Sequence, residues 1–157
     1  MHHGYERLTD DVDVLVELPS PERLDEHLAT HGFTREAVDR LRHDATGVAV
    51  DLLISGEPMP RPGCPPYPPI DKVEPSPADP DFAALRPLVE LKLYAHRHQD
   101  VADIVELLKR MDETRYDQLE AAAAPALRRE LAALRRDALE ELSYEEGARG
   151  GPASWGK

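Results

Sequence analysis

The chain has 157 residues, of which 41% are hydrophobic and 32% charged, and its net charge is −12. This length suits one domain with short appendages, and no apolar run approaches the roughly 20 residues of a membrane span. The acidic excess disfavours a broad nucleic-acid-binding surface, because such a surface gains most of its affinity by neutralising phosphates. The single cysteine, Cys64, forms neither an internal disulfide nor a cysteine-rich zinc site, and no signal segment precedes the first predicted strand. We therefore expect a cytoplasmic protein without a membrane partner.

Two aspartates separated by one residue open the first predicted strand, which runs from about Asp11 to Leu18 and ends before Pro19. Successive side chains of a strand point to opposite faces, so Asp11 and Asp13 share one face and the valines beside them share the other. Neighbouring carboxylates repel each other and resist burial. The pair therefore predicts a bound cation, a proton or a solvent-exposed strand end.

A helix and a further acidic strand follow. Ser20, followed by a proline, is a typical helix start, and Gly32 ends the predicted helix. Residues 33–43 fit either a short helix or a strand followed by a turn. Residues 47–54 predict a clearer strand, with alternating apolar side chains on one face and Asp51 on the other. A third carboxylate thus leaves a predicted core strand.

The segment 58–80 holds ten of the 15 prolines and shows neither helical nor strand periodicity, which predicts a semi-rigid connector or a lid. It separates a predicted sheet region, residues 1–57, from a helical region, residues 81–145, which we expect to pack on the sheet. Residues 146–157 are expected to be a disordered tail. The predicted fold class is α/β (α+β), with a small mixed sheet followed by a helical C-terminal half.

Four helices are predicted in the C-terminal half. They begin at Pro87, after Asp100, near Glu113 and at Pro125, and the last one ends near Leu142. Lys92 lies beside the apolar stripe of the first, where a lysine often only extends to water.

Several charged side chains of these helices have simple structural interpretations. Asp100 suits an N-terminal acid that complements the helix dipole, whereas we favour a functional role for Asp103. The arginine pairs 128–129 and 135–136 are expected to form a solvated face. They are also the best candidates for contacts with an RNA backbone.

Three carboxylates that leave neighbouring strands on one face make an oxygen-rich site. Mg²⁺ is typically held by a few carboxylates with substrate phosphates completing its shell, whereas histidine and thiolate ligands favour zinc. By spacing alone, a solvated strand start explains Asp11 and Asp13 equally well, and Asp51 in an apolar strand is what favours a metal. We predict that these three residues bind Mg²⁺ for phosphoryl or nucleotidyl transfer, with Asp51 as third ligand or as base.

Four segments of the sequence resemble one family. Arg7-Leu8-Thr9-Asp10-Asp11-Val12-Asp13 resembles the Arg-x-Thr-x-Asp-h-Asp motif, h being apolar, of polymerase-β-like nucleotidyltransferases, and Val50-Asp51-Leu52 is similar to the third-acid strand of that superfamily. Glu90-Leu91-Lys92-Leu93 and Arg97-His98-Gln99-Asp100-Val101-Ala102-Asp103 resemble the lysine and acidic-helix motifs of its small bacterial branch, which includes abortive-infection and type IV toxin nucleotidyltransferases. The resemblance covers about residues 1–111.

The resemblance implies a Mg²⁺-dependent enzyme that transfers a nucleoside monophosphate from a nucleoside triphosphate to a hydroxyl of RNA such as tRNA, of a protein or of a small molecule. It implies that Asp11, Asp13 and Asp51 are catalytic and hold the metal. Lys92 and Asp103 would bind the nucleotide, or Lys92 would orient Asp103 through an ion pair. Arg7 and Thr9 would support the start of the acidic strand.

One motif of the family is missing. It is a Gly-Gly or Gly-Ser turn at a helix start, ten or more residues before the Asp-x-Asp pair, and residues 1–10 do not contain it. Backbone N–H groups at a helix N-terminus do much of the binding of a triphosphate. Either the start of the sequence is misassigned or truncated, or the chain is a shortened member. The second case gives the alternative function, a catalytically inactive protein on the same fold that acts as a binding component of a bacterial toxin–antitoxin or defence system with a cognate antitoxin. A third alternative is an interaction module whose acids bind nothing.

Overall fold

The computed structural model describes residues 11–17 and 27–149. The fold is α+β, with a small mixed sheet followed by helices, as predicted from the sequence. Among the described residues the chain divides into two compact units between Pro75 and Ser76. We call them the strand unit and the helical unit.

The sheet of the strand unit has four strands: β1 (Asp11–Val16), β2 (Phe33–Ala37), β3 (Arg40–His43) and β4 (Ala49–Ile54). Their order across the sheet is β1-β4-β3-β2. β1 runs parallel to β4, and the other neighbouring pairs are antiparallel. The β1–β4 pairing places two strands from different parts of the sequence side by side.

Residues 33–43, which fit either a helix or a strand in the sequence, form the hairpin β2–β3, with an irregularity between Arg35 and Ala37. Thr34 lies in β2, and its hydroxyl donates a hydrogen bond to the carboxylate of Asp44 at 2.8 Å. The turn from β3 to β4 contains Gly47 at a φ of 74°, a backbone conformation that favours glycine. Residues 27–30 are helical, and the predicted start of that helix at residue 20 lies outside the described residues.

The first part of the proline-rich segment folds back on the strand unit. The N–H of Tyr67 donates to the carbonyl of Glu57 at 3.0 Å, and its own carbonyl accepts from Gly56 at 2.9 Å. Further on, the N–H of Ile70 donates to the carboxylate of Glu17 at 3.1 Å. Because the boundary between the units lies at Pro75, the segment 58–80 is divided between them.

The helical unit has four helices: α1 (Leu85–Ala95), α2 (His98–Lys109), α3 (Glu113–Ala122) and α4 (Pro125–Arg149). Their apolar faces form one core, whose fully buried members include Leu93, Ile104, Leu108 and Leu131. The predicted helices agree with these bounds within a few residues, except at the C-terminal end. The prediction of a disordered tail from residue 146 is wrong for residues 146–149, because α4 continues to Arg149. None of the helices in the described part of the chain has the length and apolarity needed to cross a membrane.

Candidate functional site

The parallel pairing of β1 and β4 brings the predicted acids to one face of the sheet. Asp13 lies directly opposite Asp51, and Asp11 lies opposite Ala49. Side chains at paired positions of adjacent strands point to the same face, and the strands lie about 4.8 Å apart. The shared face that the sequence predicted for Asp11 and Asp13 therefore also contains Asp51.

β3 brings a cation to the same face, because Arg40 is the partner of Asp51 on the other side of β4. The Nη1 atom of Arg40 lies 3.1 Å from Oδ1 of Asp51, whose side chain is 22% exposed. Glu36 on β2 lies between two arginines: its carboxylate is 3.6 Å from Nε of Arg40 and 2.5 Å from Nε of Arg42.

Arg40 and Arg42 were not predicted as residues of this site. The sequence feature that could have indicated them is the alternation in β3, where the two arginines flank the buried Leu41. Alternation assigns both arginines to one face, but only the antiparallel register of β3 with β4 shows that Arg40 lies opposite Asp51.

The two acids of β1 differ in exposure. Asp11 is half-buried, whereas Asp13 is exposed. The apolar face of β1 is also partly open, since Val12 is 49% and Val14 is 38% exposed. Asp13 thus has access to solvent and to solutes while it stays opposite Asp51.

The chemistry of these donors fits a hard cation, because all three are carboxylates and Mg²⁺ prefers oxygen ligands. Their positions fit less closely. Among the described residues, the three carboxylates whose oxygens all lie within 4.8 Å of one another are Glu106, Glu141 and Glu145, and not Asp11, Asp13 and Asp51. A cation held by all three aspartates therefore requires that their carboxylates come closer together and that Asp51 exchange Arg40 for the metal.

The helical unit pairs two other predicted site residues. Nζ of Lys92 lies 2.8 Å from Oδ2 of Asp103, and both side chains are largely buried, at 19% and 12% exposure. Lys92 therefore does not simply extend to water. It makes the ion pair with Asp103 that was one of its two predicted functional roles.

Asp100 lies in the first turn of α2, as predicted for an acid that complements the helix dipole, and it also caps the helix. Its carboxylate accepts a hydrogen bond from the backbone N–H of Arg97 at 3.1 Å, which joins it to the residue before α2. The guanidinium of Arg97 adds two contacts, at 2.8 and 3.2 Å, and Nζ of Lys92 lies 3.5 Å away. The side chain of Asp100 is only 2% exposed, so these cations compensate a buried charge.

The prediction that the arginine pairs of α4 form a solvated face is wrong for Arg135, which is half-buried, whereas Arg128 is exposed although it also makes hydrogen bonds. Arg128 donates to the carbonyls of Ala121 and Ala123 at the end of α3. Arg135 donates to the carbonyl of Leu108, in the last turn of α2, and to that of Met111, just after the helix. Helix ends leave carbonyls without partners, and these two guanidinium groups satisfy them. Arg129 and Arg136 are exposed, in agreement with the prediction.

A second charged cluster, not predicted from the sequence, joins α2 to α4. Nζ of Lys109 lies 2.8 Å from Glu106, 2.7 Å from Glu141 and 2.8 Å from Glu145. Its side chain is 7% exposed, and hydrogen bonds to the three carboxylates raise the pKa of Lys109 above its ordinary value. The one-turn spacing of Glu141 and Glu145 was a signal that they share a helix face, but nothing in the sequence indicated Lys109 as their partner.

Two predicted site residues, Arg7 and Thr9, lie outside the described residues. The acids at positions 11, 13 and 51 belong to the strand unit, and the Lys92–Asp103 pair belongs to the helical unit. Comparison with models of protein families, with curated proteins and with solved structures finds no match.

Proposed function

We propose that the strand unit carries a Mg²⁺-dependent nucleotidyl-transfer site, with Asp13 and Asp51 as principal metal ligands and Asp11 as the third acid. The single observation that carries the proposal is the register of two parallel strands, which puts Asp13 opposite Asp51. A bound Mg²⁺ pair would activate an attacking hydroxyl and stabilise the leaving oxygen of a nucleoside triphosphate. We further propose that the protein acts in the cytoplasm. The role of Lys92 and Asp103 in nucleotide binding stays a prediction.

Exposure supports this assignment. Asp13 is open to solvent, so a metal with bound triphosphate has access to it, whereas Asp51 is mostly buried and keeps a fixed backbone position within β4. The chain supplies no histidine or cysteine within the two acidic strands, so the ligand chemistry favours Mg²⁺ over zinc.

A second candidate function rests on the pair of Arg40 with Asp51. The guanidinium neutralises Asp51 at 3.1 Å without any metal. An acid compensated in this way suits a protein of the same fold that has no catalytic activity and binds another protein, such as the partner in a toxin–antitoxin or defence pair. The two candidates differ in whether a divalent cation binds at Asp51.

The test uses the full chain and two measurements. Binding of Mn²⁺, as a paramagnetic substitute for Mg²⁺, is followed by electron paramagnetic resonance, and label transfer from each α-labelled nucleoside triphosphate is followed with Mg²⁺ and total RNA or protein as acceptor. We expect Asp13→Asn and Asp51→Asn each to lower Mn²⁺ affinity at least about 100-fold, the upper end of what loss of an outer-sphere partner costs. Asp71→Asn is the matched control, because the Asp71 side chain is 67% exposed and forms an ion pair with its neighbour Lys72.

The outcomes separate the two functions. Label transfer that both Asn variants abolish and the control retains supports the enzyme. Mn²⁺ binding that depends on Asp51, together with no transfer from any triphosphate to any acceptor, overturns the enzyme and retains the metal site. No Mn²⁺ binding at Asp51 and no transfer support the non-catalytic candidate. Absence of Mn²⁺ binding that depends on Asp13 and Asp51 overturns the metal site.

A further inference from the structure

We propose that Arg40 is a built-in competitor of the metal: it holds Asp51 when no divalent cation is bound, and once displaced it binds a phosphate oxygen of the nucleoside triphosphate. This inference rests on the proposed function, since it concerns the regulation and substrate binding of the same site. Two observations support it, the ion pair itself and the arrangement of charges around it.

The ion pair puts Arg40 and a metal in direct competition. Nη1 of Arg40 lies 3.1 Å from Oδ1 of Asp51, within the range of a charge-assisted hydrogen bond. A Mg²⁺ ion binds carboxylate oxygens at about 2.1 Å and repels a nearby guanidinium. Binding of the metal to this carboxylate and retention of the Arg40 contact therefore oppose each other.

The partial exposure of the pair makes the exchange feasible. The side chain of Arg40 is 45% exposed, so the guanidinium can move into solvent without loss of a buried position. Its second contact, from Nε to Glu36, is 3.6 Å long, and the carboxylate of Glu36 also has a 2.5 Å contact with Arg42. Glu36 is thus already neutralised by Arg42, and it does not require Arg40.

A displaced Arg40 stays close to the site because its backbone is paired with Asp51 across β3 and β4. A triphosphate on a metal at Asp13 and Asp51 would bring several anionic oxygens to this face, and a planar guanidinium binds two phosphate oxygens at once. Arg40 would supply a cation for that anion from β3.

The proposed competition predicts that one substitution has opposite effects on the binding of two ligands. Arg40→Gln removes the competitor, so Mn²⁺ alone should bind about fivefold more tightly, the upper range for a partly exposed ion pair. The same variant lacks the phosphate-binding cation, so a Mn²⁺-bound non-hydrolysable triphosphate should bind at least about fivefold more weakly. A substitution that merely disturbed the sheet would weaken both ligands.

Arg42→Gln is the matched control, because Arg42 lies on the same strand and same face but contacts Glu36 and the carbonyl of Gly47 rather than Asp51. We expect it to change both affinities less than Arg40→Gln does, because Arg42 acts on Asp51 only through Glu36 and Arg40. Arg40→Lys keeps the charge without the planar fork, so its two affinities should lie between those of the wild type and Arg40→Gln. Circular dichroism of each variant checks that the fold is retained, and Arg40→Lys replaces Arg40→Gln as the main test if the latter does not fold.

Each result has a definite meaning. Tighter Mn²⁺ binding with weaker triphosphate binding supports the proposal. Mn²⁺ binding that depends on Asp51 but is unchanged or weakened in the Arg40 variants overturns it and leaves the proposed function intact. Competition between Arg40 and Mn²⁺ without any label transfer overturns the enzymatic function and leaves the metal competition intact. Absence of Mn²⁺ binding in the wild type and in all variants overturns both.

Discussion

Nζ of Lys92 on α1 lies 2.8 Å from a carboxylate oxygen of Asp103 on α2, although the two residues are 11 positions apart in the sequence. Asp100, one turn earlier on α2, lies 3.5 Å from the same nitrogen. One ammonium group therefore compensates two carboxylates that lie largely out of water. Arg97 also compensates Asp100. Removal of Lys92 would therefore take away a cation that two neighbouring, largely buried carboxylates share.

The first prediction follows from this arrangement. Lys92→Met keeps the length of the apolar stem and removes the charge, and we expect the free energy of unfolding to fall by about 3 kcal/mol, as is typical when one partner of a buried pair is removed. Urea denaturation followed by circular dichroism measures the change. Lys72→Met is the control, because Lys72 pairs with Asp71 at the surface, where both side chains are about two-thirds exposed, and its loss should cost less than about 0.5 kcal/mol. Equal effects of both substitutions would contradict a buried pair.

The second prediction concerns the cluster around Lys109. Its ammonium group now holds three carboxylates, those of Glu106, Glu141 and Glu145, which repel one another without it. We expect Lys109→Met to lower the melting temperature and to make it rise again when Ca²⁺ is added, because a divalent cation can replace the ammonium charge among oxygen ligands. The wild-type protein should show no comparable Ca²⁺ effect.

A double variant tests this interpretation of the cluster. Addition of Glu141→Gln to Lys109→Met removes one of the three charges, so the double variant should be more stable than Lys109→Met in the absence of Ca²⁺ and should respond less to it. Differential scanning fluorimetry with and without Ca²⁺ is sufficient. A Ca²⁺ response of the same size in the wild type would show that the cation acts elsewhere.

The third prediction is a pH dependence that arises from Tyr116. Burial and the hydrogen bond that its hydroxyl donates to Glu120 raise the pKa of Tyr116 to about 12, against an ordinary value of 10.0. The folded protein thus holds the phenolic proton more tightly than the unfolded chain, so this contribution to stability is complete below pH 10 and is lost as the pH rises from about 10 to about 12.

Tyr116→Phe separates this contribution from other alkaline effects. Phenylalanine does not ionise, so the variant should lose less stability than the wild type between pH 10 and 12, as measured by urea denaturation at several pH values. Absorbance at the tyrosinate wavelength should show, in the wild type, a phenol that ionises near pH 12 and that the Tyr116→Phe variant lacks. Titration curves that differ between the two proteins only well below pH 12 would contradict the prediction.

The fourth prediction tests the arginine that joins α4 to the end of α2. Arg135 satisfies the carbonyls of Leu108 and Met111, and its guanidinium carbon lies 5.1 Å from the centre of the Tyr116 ring. Arg135→Met should lower the free energy of unfolding by about 2 kcal/mol, because both carbonyls lose a charged donor, although that of Leu108 keeps the N–H of Met111. Arg136→Met, at the exposed neighbouring position, should cost less than about 0.5 kcal/mol. If Arg135 were a solvated surface residue, as expected from the sequence, Arg135→Met and Arg136→Met would lower the free energy of unfolding by similar amounts.

Local pattern was sufficient to predict part of this structure. The alternation of acids and valines in β1 and of apolar residues in β4 predicted both strands and the face of their carboxylates, because side-chain direction in a strand follows from position alone. The helical periodicity of residues 81–145 likewise predicted the apolar helix faces that form the core. The α+β class followed from these elements.

The remaining features depend on contacts between residues far apart in the sequence. Arg40 meets Asp51 only through the register of β3 on β4, and Arg135 meets Leu108 only because α4 crosses the end of α2. Lys109 lies 36 positions before Glu145. A pattern of charges along the chain shows that such side chains are polar, but it does not show which opposite charge or carbonyl each one reaches.

Asp13 and Asp51 are paired in the register of β1 and β4. The acidic face therefore depends on the alignment of these two strands as much as on the residue types. On β1 and on β3 the two acidic or arginine residues are two positions apart, Asp11 and Asp13 on β1 and Arg40 and Arg42 on β3. A change in strand alignment by two residues would keep every charge on the same face and only exchange its partners. A change by one residue would transfer the acids of that strand to the apolar face. An insertion or deletion of a single residue within β1 or β4 should therefore be far more harmful than a conservative substitution of either aspartate, although it alters no charge.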